Sequence, residues 1–153
     1  MIVLDTNVVS AMMHRDVDTK IRDWLDNIPP ESIWVTTITI FEVRFGIGVL
    51  AKGPRRQQLE EDFIQTIAED FQGRVLDLDQ AAAQAAASLC AQRRLRGRPI
   101  DMRDALIAGI VLSRRAELAT RNFRHFDDLE ISVVDPWAAS RSLGGFTTPS
   151  FRL

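Results

Sequence analysis

Residues 1–13 read MIVLDTNVVSAMM, an apolar run that is interrupted by Asp5-Thr6-Asn7 and then resumes. Ile2 to Leu4 fits a short buried strand, and Val8 to Met13 fits a short helix. A carboxylate between a strand and a helix either caps that helix or serves a site at the end of the strand. Taken alone, this stretch favours the helix cap for Asp5.

Strand and helix patterns alternate along the rest of the chain. This alternation implies βαβ crossovers, and therefore an α/β fold: a single domain with a mostly parallel central sheet of about five strands flanked by helices. We expect this domain to span residues 1–139, and residues 140–153 to form a loosely ordered tail. Further strands are predicted at residues 32–36, 74–78, 118–120 and 131–134, and helices around Trp24, at 37–50, from about 59 to 71, at 79–96 and at 102–115.

The composition is that of an ordinary globular protein suited to a reducing compartment. Cys90 is the single cysteine, so no internal disulfide can form. The chain has no basic leader and no run of about eighteen apolar residues, so we expect a cytoplasmic protein that does not enter membranes. A net charge of -2 argues against coating nucleic acid through bulk positive charge. Of the 19 basic residues, however, 17 are arginines, whose planar fork suits local contacts with phosphate.

Glu42 is a second carboxylate in an apolar setting, within ITIFEVRFGIGVL at residues 38–50. A charge there needs a partner, and none of the side chains three or four residues away is basic. Glu42 either completes a capping box with Thr39 as the N-cap or belongs to a functional site.

Asp101 and Asp104 precede the apolar run ALIAGIVL at residues 105–112. Asp101 is predicted to cap this helix, whereas Asp104 fits a capping role and a functional role equally well. A helix that begins at the carboxyl edge of a sheet places its capping residues where a site would lie. Carboxylates that converge there repel one another, and Mg²⁺ is the cation that best relieves this repulsion and leaves room for phosphate.

Other kinds of site find little support in the sequence. One cysteine and two distant histidines, His14 and His125, do not form a site for a soft metal. The glycine-rich loop of P-loop nucleotide hydrolases and the G-x-S-x-G turn of serine hydrolases are both missing from the sequence.

Five motifs in register identify a resemblance that covers Met1 to about Trp137. They are MIVLDTN at residues 1–7, ITIFEVRFGI at 38–47, GRPIDMRDALIAGI at 97–110, LATRNFRHF at 118–126 and VVDPW at 133–137. In this order and spacing the chain resembles the PIN-domain ribonucleases, and most closely the VapC/FitB type of toxin from bacterial type II toxin-antitoxin pairs. The resemblance implies a parallel sheet with its acids gathered in a central groove, and Mg²⁺-dependent hydrolysis of RNA phosphodiester bonds.

The resemblance also assigns roles to individual residues. Many relatives carry an acid where this chain has Asn122, and His125 stands at a position often held by Asp. We therefore expect one firmly held Mg²⁺, for which Mn²⁺ could substitute, and leave a second ion open. The implied metal ligands are Asp5, Glu42 and Asp104, with Asn122 orienting water or substrate, Thr6 and Thr120 in support, and Arg94, Arg96, Arg98 and Arg121 contacting RNA phosphates.

The resemblance further implies a homodimer held inactive by a small cognate antitoxin, whose arginine or other side chain enters the acidic groove. Apolar helix surface near Trp24, Phe41 or Phe45 would suit its docking. Two alternatives stay open. A haloacid-dehalogenase-like phosphatase would use Asp5 as a nucleophile, although it needs a second acid where this chain has Asn7. A non-enzymatic protein- or RNA-binding module would use the acids only as helix caps.

Overall fold

Five parallel strands form the central sheet of the computed structural model, which describes residues 1–14 and 17–138. Their order is β3-β2-β1-β4-β5, and every neighbouring pair is parallel, which confirms the predicted fold class. The third strand is shorter than predicted, because only two of its residues pair with the second strand. The strands are β1 (Ile2–Leu4), β2 (Ile33–Thr36), β3 (Val75–Leu76), β4 (Glu117–Ala119) and β5 (Ser132–Val134).

Six α-helices in the described residues flank this sheet. The first begins at Thr6, two residues earlier than predicted, because Asp5 caps it directly after β1. None of the helices within residues 1–14 and 17–138 is both long and apolar enough to cross a membrane. The helices are α1 (Thr6–Met12), α2 (Thr19–Asp26), α3 (Thr37–Gly48), α4 (Pro54–Gln65), α5 (Gln80–Leu95) and α6 (Met102–Arg114).

Successive residues of β1 point to opposite faces of the sheet, and each face has its own apolar core. Leu4 packs in the cluster that α1 to α4 cover, whereas Val3 packs in the cluster that α5 and α6 cover. Helices α5 and α6 lie so close together that a Cβ on Gly109 would stand 2.4 Å from the carbonyl oxygen of Ala82. A strand buried on both faces explains why the sequence of β1 is continuously apolar.

The strand order creates a crevice beside β1. The chain moves from β1 to β2 and β3 on one side, then returns to β4 and β5 on the other side. The backbone N–H of Asp5 donates to the carbonyl of Ala119 at 2.9 Å, so the carboxyl ends of β1 and β4 meet here. Open parallel sheets bind ligands at such a reversal of strand order, and Asp5 stands directly at it.

The predicted domain boundary at residues 139 and 140 and the predicted tail at 140–153 lie outside the described residues. Every secondary-structure element described above lies within the predicted domain.

Candidate active site

Asp5 is buried at the carboxyl end of β1, where its side chain is held by three donors. It accepts hydrogen bonds from the backbone N–H of Thr6 at 2.7 Å, from Asn7 Nδ2 at 2.6 Å and from Thr120 Oγ1 at 2.6 Å. Burial raises the pKa of Asp5, an effect that the bonds from Thr120 and Thr6 oppose. The predicted cap is therefore confirmed, and the same carboxylate is the centre of a polar network.

Glu42 lies in the second turn of α3, so the alternative of a capping box with Thr39 is wrong. Thr36 caps the helix instead, because β2 runs directly into α3, and its hydroxyl accepts the N–H of Thr39 at 2.9 Å. Glu42 accepts a hydrogen bond from the hydroxyl of Thr6, and its Oε1 lies 3.3 Å from the guanidinium of Arg103. The charge of Glu42 is thus compensated by a residue from another helix, as its apolar sequence neighbours require.

Asp104 occupies the first turn of α6, which Asp101 caps by accepting the N–H of Arg103 at 2.9 Å. The carboxylate of Asp104 lies 2.8 Å from Nδ1 of His125. Asp5 and Glu42 belong to segments that directly follow a strand, whereas Asp104 lies in a helix, α6, that follows another helix, α5. Asp104 still reaches the same edge of the sheet, because α5 and α6 are antiparallel and α6 leads directly into β4.

The three acids are close enough for their charges to interact. The charges of Asp104 and Glu42 both raise the pKa of Asp5, in addition to the larger effect of burial. Three oxygen donors of this kind suit a hard divalent cation. In the part of the chain that the structure describes, however, no group of three His, Cys, Asp or Glu side chains is arranged to hold a metal ion. The three carboxylates are the type of ligand that such a cation prefers. In this structure, however, Glu42 pairs with Arg103 and Asp104 pairs with His125.

The segment after β4 completes the network around Asp5. Thr120 is fully buried and accepts the backbone N–H of Asn122 at 3.0 Å, while the side chain of Asn122 stays exposed. Asn7 donates to Thr120 at 3.1 Å and accepts the N–H of Arg121 at 3.2 Å. Sequence reasoning did not assign this linking role to Asn7, although its place in the DTN motif was a signal for it.

Arg93 is a second residue whose role the sequence did not reveal, because it lies in the arginine-rich segment at residues 93–98, a pattern typical of a solvated helix surface. It is only 5% exposed, and it donates to the carbonyl of His125 at 2.8 Å and to the carboxylate of Asp128. Arg93 therefore ties the end of α5 to the loop that carries Asn122 and His125. The signal was its spacing, since Arg93 continues the buried stripe of Ala86 and Leu89 on α5.

The four predicted phosphate contacts differ in exposure and in their partners. Arg94 and Arg96 are exposed at the end of α5. Arg98 lies 3.3 Å from Asp127, and the guanidinium of Arg121 lies 5.2 Å from the ring centroid of Trp137. Two of the four arginines are thus engaged within the chain itself.

The sequence matches the PIN domain family over residues 2–131, which is most of the chain. This chain belongs to the PIN-domain family. Toxin FitB of Neisseria gonorrhoeae is 31% identical to this PIN domain over 137 residues, covering 90% of this chain and 99% of FitB. VapC ribonuclease Y4jK of Sinorhizobium fredii is also 31% identical over 137 residues, covering 90% and 98%.

Solved structures agree with the sequence relatives. The crystal structure of FitAcB from Neisseria gonorrhoeae superposes on this PIN domain with a TM-score of 0.83 at 30% identity, covering 91% of this chain and all of the other. The PIN domain therefore belongs with the VapC and FitB proteins, as its motifs indicated. This membership leaves the haloacid-dehalogenase-like alternative without support.

Proposed function

We propose that this PIN domain is a metal-dependent endoribonuclease that acts in the cytoplasm as the toxin of a type II toxin-antitoxin pair. The observation that carries the proposal is the meeting of Asp5, Glu42 and Asp104 beside β1, at the reversal of strand order. The names of FitB, a toxin, and of Y4jK, a ribonuclease, support the same activity. Residues 1–139 would form the catalytic domain.

Mg²⁺ is the ion that we propose for this site, with Mn²⁺ as a substitute. Asp5, Glu42 and Asp104 would hold it, and it would supply Lewis acidity at a phosphoryl group and acidify water for in-line attack. Thr6 and Thr120 fix the carboxylates of Glu42 and Asp5 by donating hydrogen bonds to them. Burial makes the negative charge of ionised Asp5 unfavourable, and a bound cation would offset this effect.

The proposed substrate is RNA, held by its backbone and its unpaired bases. Arg94 and Arg96 are exposed for phosphate contacts, and Arg98 could join them from its half-exposed position. The side chain of Asn122 is exposed one residue beyond Arg121, where it would orient water or substrate. Together they would form a basic and polar rim around acids that would otherwise repel RNA.

We further propose a homodimer and a docking surface for the antitoxin on α3. Phe41, Phe45 and Val49 follow one another at helical spacing and are 58%, 58% and 68% exposed, and we call these three residues the apolar ridge. The rings of Phe41 and Phe45 stack with their centroids 6.1 Å apart. Trp24, the third residue near which docking was predicted, is only partly exposed and packs against the core.

Cleavage of total RNA tests the activity directly. Wild-type protein with Mg²⁺ should cut RNA, whereas EDTA or the substitution Asp104→Asn should reduce the rate by at least about a hundredfold, since the carboxylates act only through the cation. Mapping the new RNA ends would give the cleavage sites.

Asp79→Asn is the matched control for this experiment, because Asp79, like Asp104, is an acid at the start of a helix but pairs with Arg114. Its cleavage rate should equal that of the wild type. Equal cleavage by the Asp104→Asn variant, or cleavage that persists in EDTA, would contradict the proposed activity.

A further inference from the structure

Arg103 is the one arginine in the described residues whose guanidinium makes an ion pair with Glu42. It stands in the first turn of α6, next to Asp104, and reaches across to α3. Its Nε also lies 3.1 Å from Oδ1 of Asp101. A protein cation is therefore placed among the proposed metal ligands.

The pairing between Arg103 and Glu42 is of a kind that a metal ion can displace. The side chain of Arg103 is 49% exposed, and an exposed ion pair adds little to stability. A divalent cation carries twice the charge of a guanidinium, so it attracts the same carboxylate more strongly at equal distance. After displacement, Arg103 would still be held at the edge of the groove by Asp101.

We propose that Arg103 is a built-in counter-ion of the site, which neutralises Glu42 in the metal-free chain, yields to the divalent cation and then binds an RNA phosphate. The inference rests on the proposed function, because it assumes both the cation and the RNA. It assigns Arg103 a positioning role that the family resemblance does not include. Arginine suits this exchange, because its planar fork binds carboxylate and phosphate in the same geometry.

Titration of the RNA-free protein with Mg²⁺ by calorimetry tests the first part. The substitution Arg103→Met keeps the aliphatic stem and removes the competing charge, so the variant should bind Mg²⁺ about two- to fivefold more tightly than the wild type. Arg114→Met is the matched control. Arg114 lies at the other end of α6 and pairs with Asp79 at 2.8 Å, so its loss should leave Mg²⁺ binding unchanged.

Binding of a 2′-O-methyl oligonucleotide, which resists cleavage, tests the second part in the presence of Mg²⁺. The Arg103→Met variant should bind the oligonucleotide several-fold more weakly. Loss of one phosphate contact should also reduce the slope of log affinity against log salt by about 0.7. The two affinities thus change in opposite directions for one substitution.

A purely structural role for Arg103, in which it only joins α3 to α6, predicts a different effect on Mg²⁺ affinity. If Arg103 only held Glu42 in position, its removal would weaken Mg²⁺ binding or leave it unchanged, and either result would overturn the inference. If the Arg103→Met variant bound the oligonucleotide as tightly as the wild type, the proposal that Arg103 binds an RNA phosphate would be overturned. Failure of the wild type itself to bind Mg²⁺ would contradict the proposed function as well, so the two failures are distinguishable.

Discussion

A single buried guanidinium holds the loop that carries Asn122 and His125 in place. Arg93 binds both the carbonyl of His125 and the carboxylate of Asp128, and its Nε has no hydrogen-bond partner among the residues that the structure describes. A buried charge with incomplete hydrogen bonding is stable only while its counter-ion remains. The position of the loop beside Asp104 therefore depends on one residue of α5.

The substitution Arg93→Met should destabilise the protein by about 2–4 kcal/mol, because it leaves the largely buried carboxylate of Asp128 without its main partner. Arg98→Met is the control, since Arg98 is 54% exposed and its ion pairs should contribute less than about 1 kcal/mol. Urea denaturation of both variants measures the difference. If the two substitutions destabilised the protein equally, the burial of Arg93 would make no difference to the stability that its ion pair provides.

Asp79, which lies outside the candidate site, should make the stability of the protein depend on pH. The backbone N–H of Ala82, and after it Arg114, lower the pKa of Asp79 from its ordinary value of 3.8. A carboxyl group with a lowered pKa in the folded state stabilises that state above pH 3.8 and loses this contribution as the pH falls through the folded-state pKa.

The stability advantage of the wild type over Asp79→Asn should therefore be present at neutral pH and disappear in this acidic range. Thermal unfolding of both proteins at pH values from 7 down to about 2, a range that includes the ordinary pKa of an aspartate, measures this difference in stability. An advantage that is constant over this range would mean that the charge of Asp79 is not involved.

Individual acids could be predicted from the sequence because they interrupt apolar runs. Asp5 and Glu42 were both found in this way, and their predicted proximity agrees with the structure. The partner of Glu42 could not be found, because Arg103 lies on a different helix and ion pairs between helices leave no periodic signal. Arg103 is adjacent to Asp104 in the sequence, but adjacency along the chain does not show that its guanidinium reaches Glu42 on α3.

At the scale of elements, the contact between α5 and α6 depends on small residues. Gly109 of α6 faces Ala82 and Ala86 of α5, and a Cβ at Gly109 would lie 2.7 Å from Cβ of Ala86 and 2.8 Å from its backbone nitrogen. Two of the three nearest atoms are backbone, so the helices themselves would have to move apart. This packing sets the direction of α6 and, with it, the position of Asp104.

The substitution Gly109→Ala should destabilise the protein by about 1–3 kcal/mol through overpacking. Gly46→Ala is the control, because Gly46 is also within a helix but has open space around its Cβ position. There, the better helix propensity of alanine should stabilise the protein by up to about 1 kcal/mol. Denaturation midpoints that shift in the same direction for both variants would contradict this account.

The elements themselves were largely predictable, whereas their ends were not. Periodicity located all five strands and the helices between them, since burial on one or two faces determines which residues are apolar. The predicted start of α3 at residue 37 agrees with the structure, whereas the capping box with Thr39 does not, because Thr36 and Thr39 are both good caps and only the end of β2 decides between them. Strand β3 was predicted too long, because its apolar pattern continues to Leu78 beyond the residues that pair with β2.

At the scale of the whole molecule, the apolar ridge on α3 predicts how the partner binds. The substitution Phe45→Ser should weaken association with the proposed cognate antitoxin by at least about tenfold, because exposed aromatic side chains supply much of the binding energy at interfaces. Surface plasmon resonance with the purified antitoxin measures this effect.

Leu95→Ser is the control for the ridge, since Leu95 is 88% exposed but lies at the end of α5. Its substitution removes a comparable apolar side chain and should leave association unchanged. A loss of affinity in the Leu95→Ser variant alone would move the proposed docking surface from α3 to the end of α5.

The central position of β1 has a consequence for the chain while it is being synthesised. Asp5 leaves the ribosome long before Thr120 does, yet β1 pairs with β4 in the sheet, and Thr120, which follows β4, donates a hydrogen bond to Asp5. A nascent chain that ends before Thr120 lacks a donor to Asp5 and one side of the crevice. We therefore expect the polypeptide to be inert as a nuclease until the segment from Asp5 to Thr120 has left the ribosome, so that it cannot attack RNA there before that segment has folded.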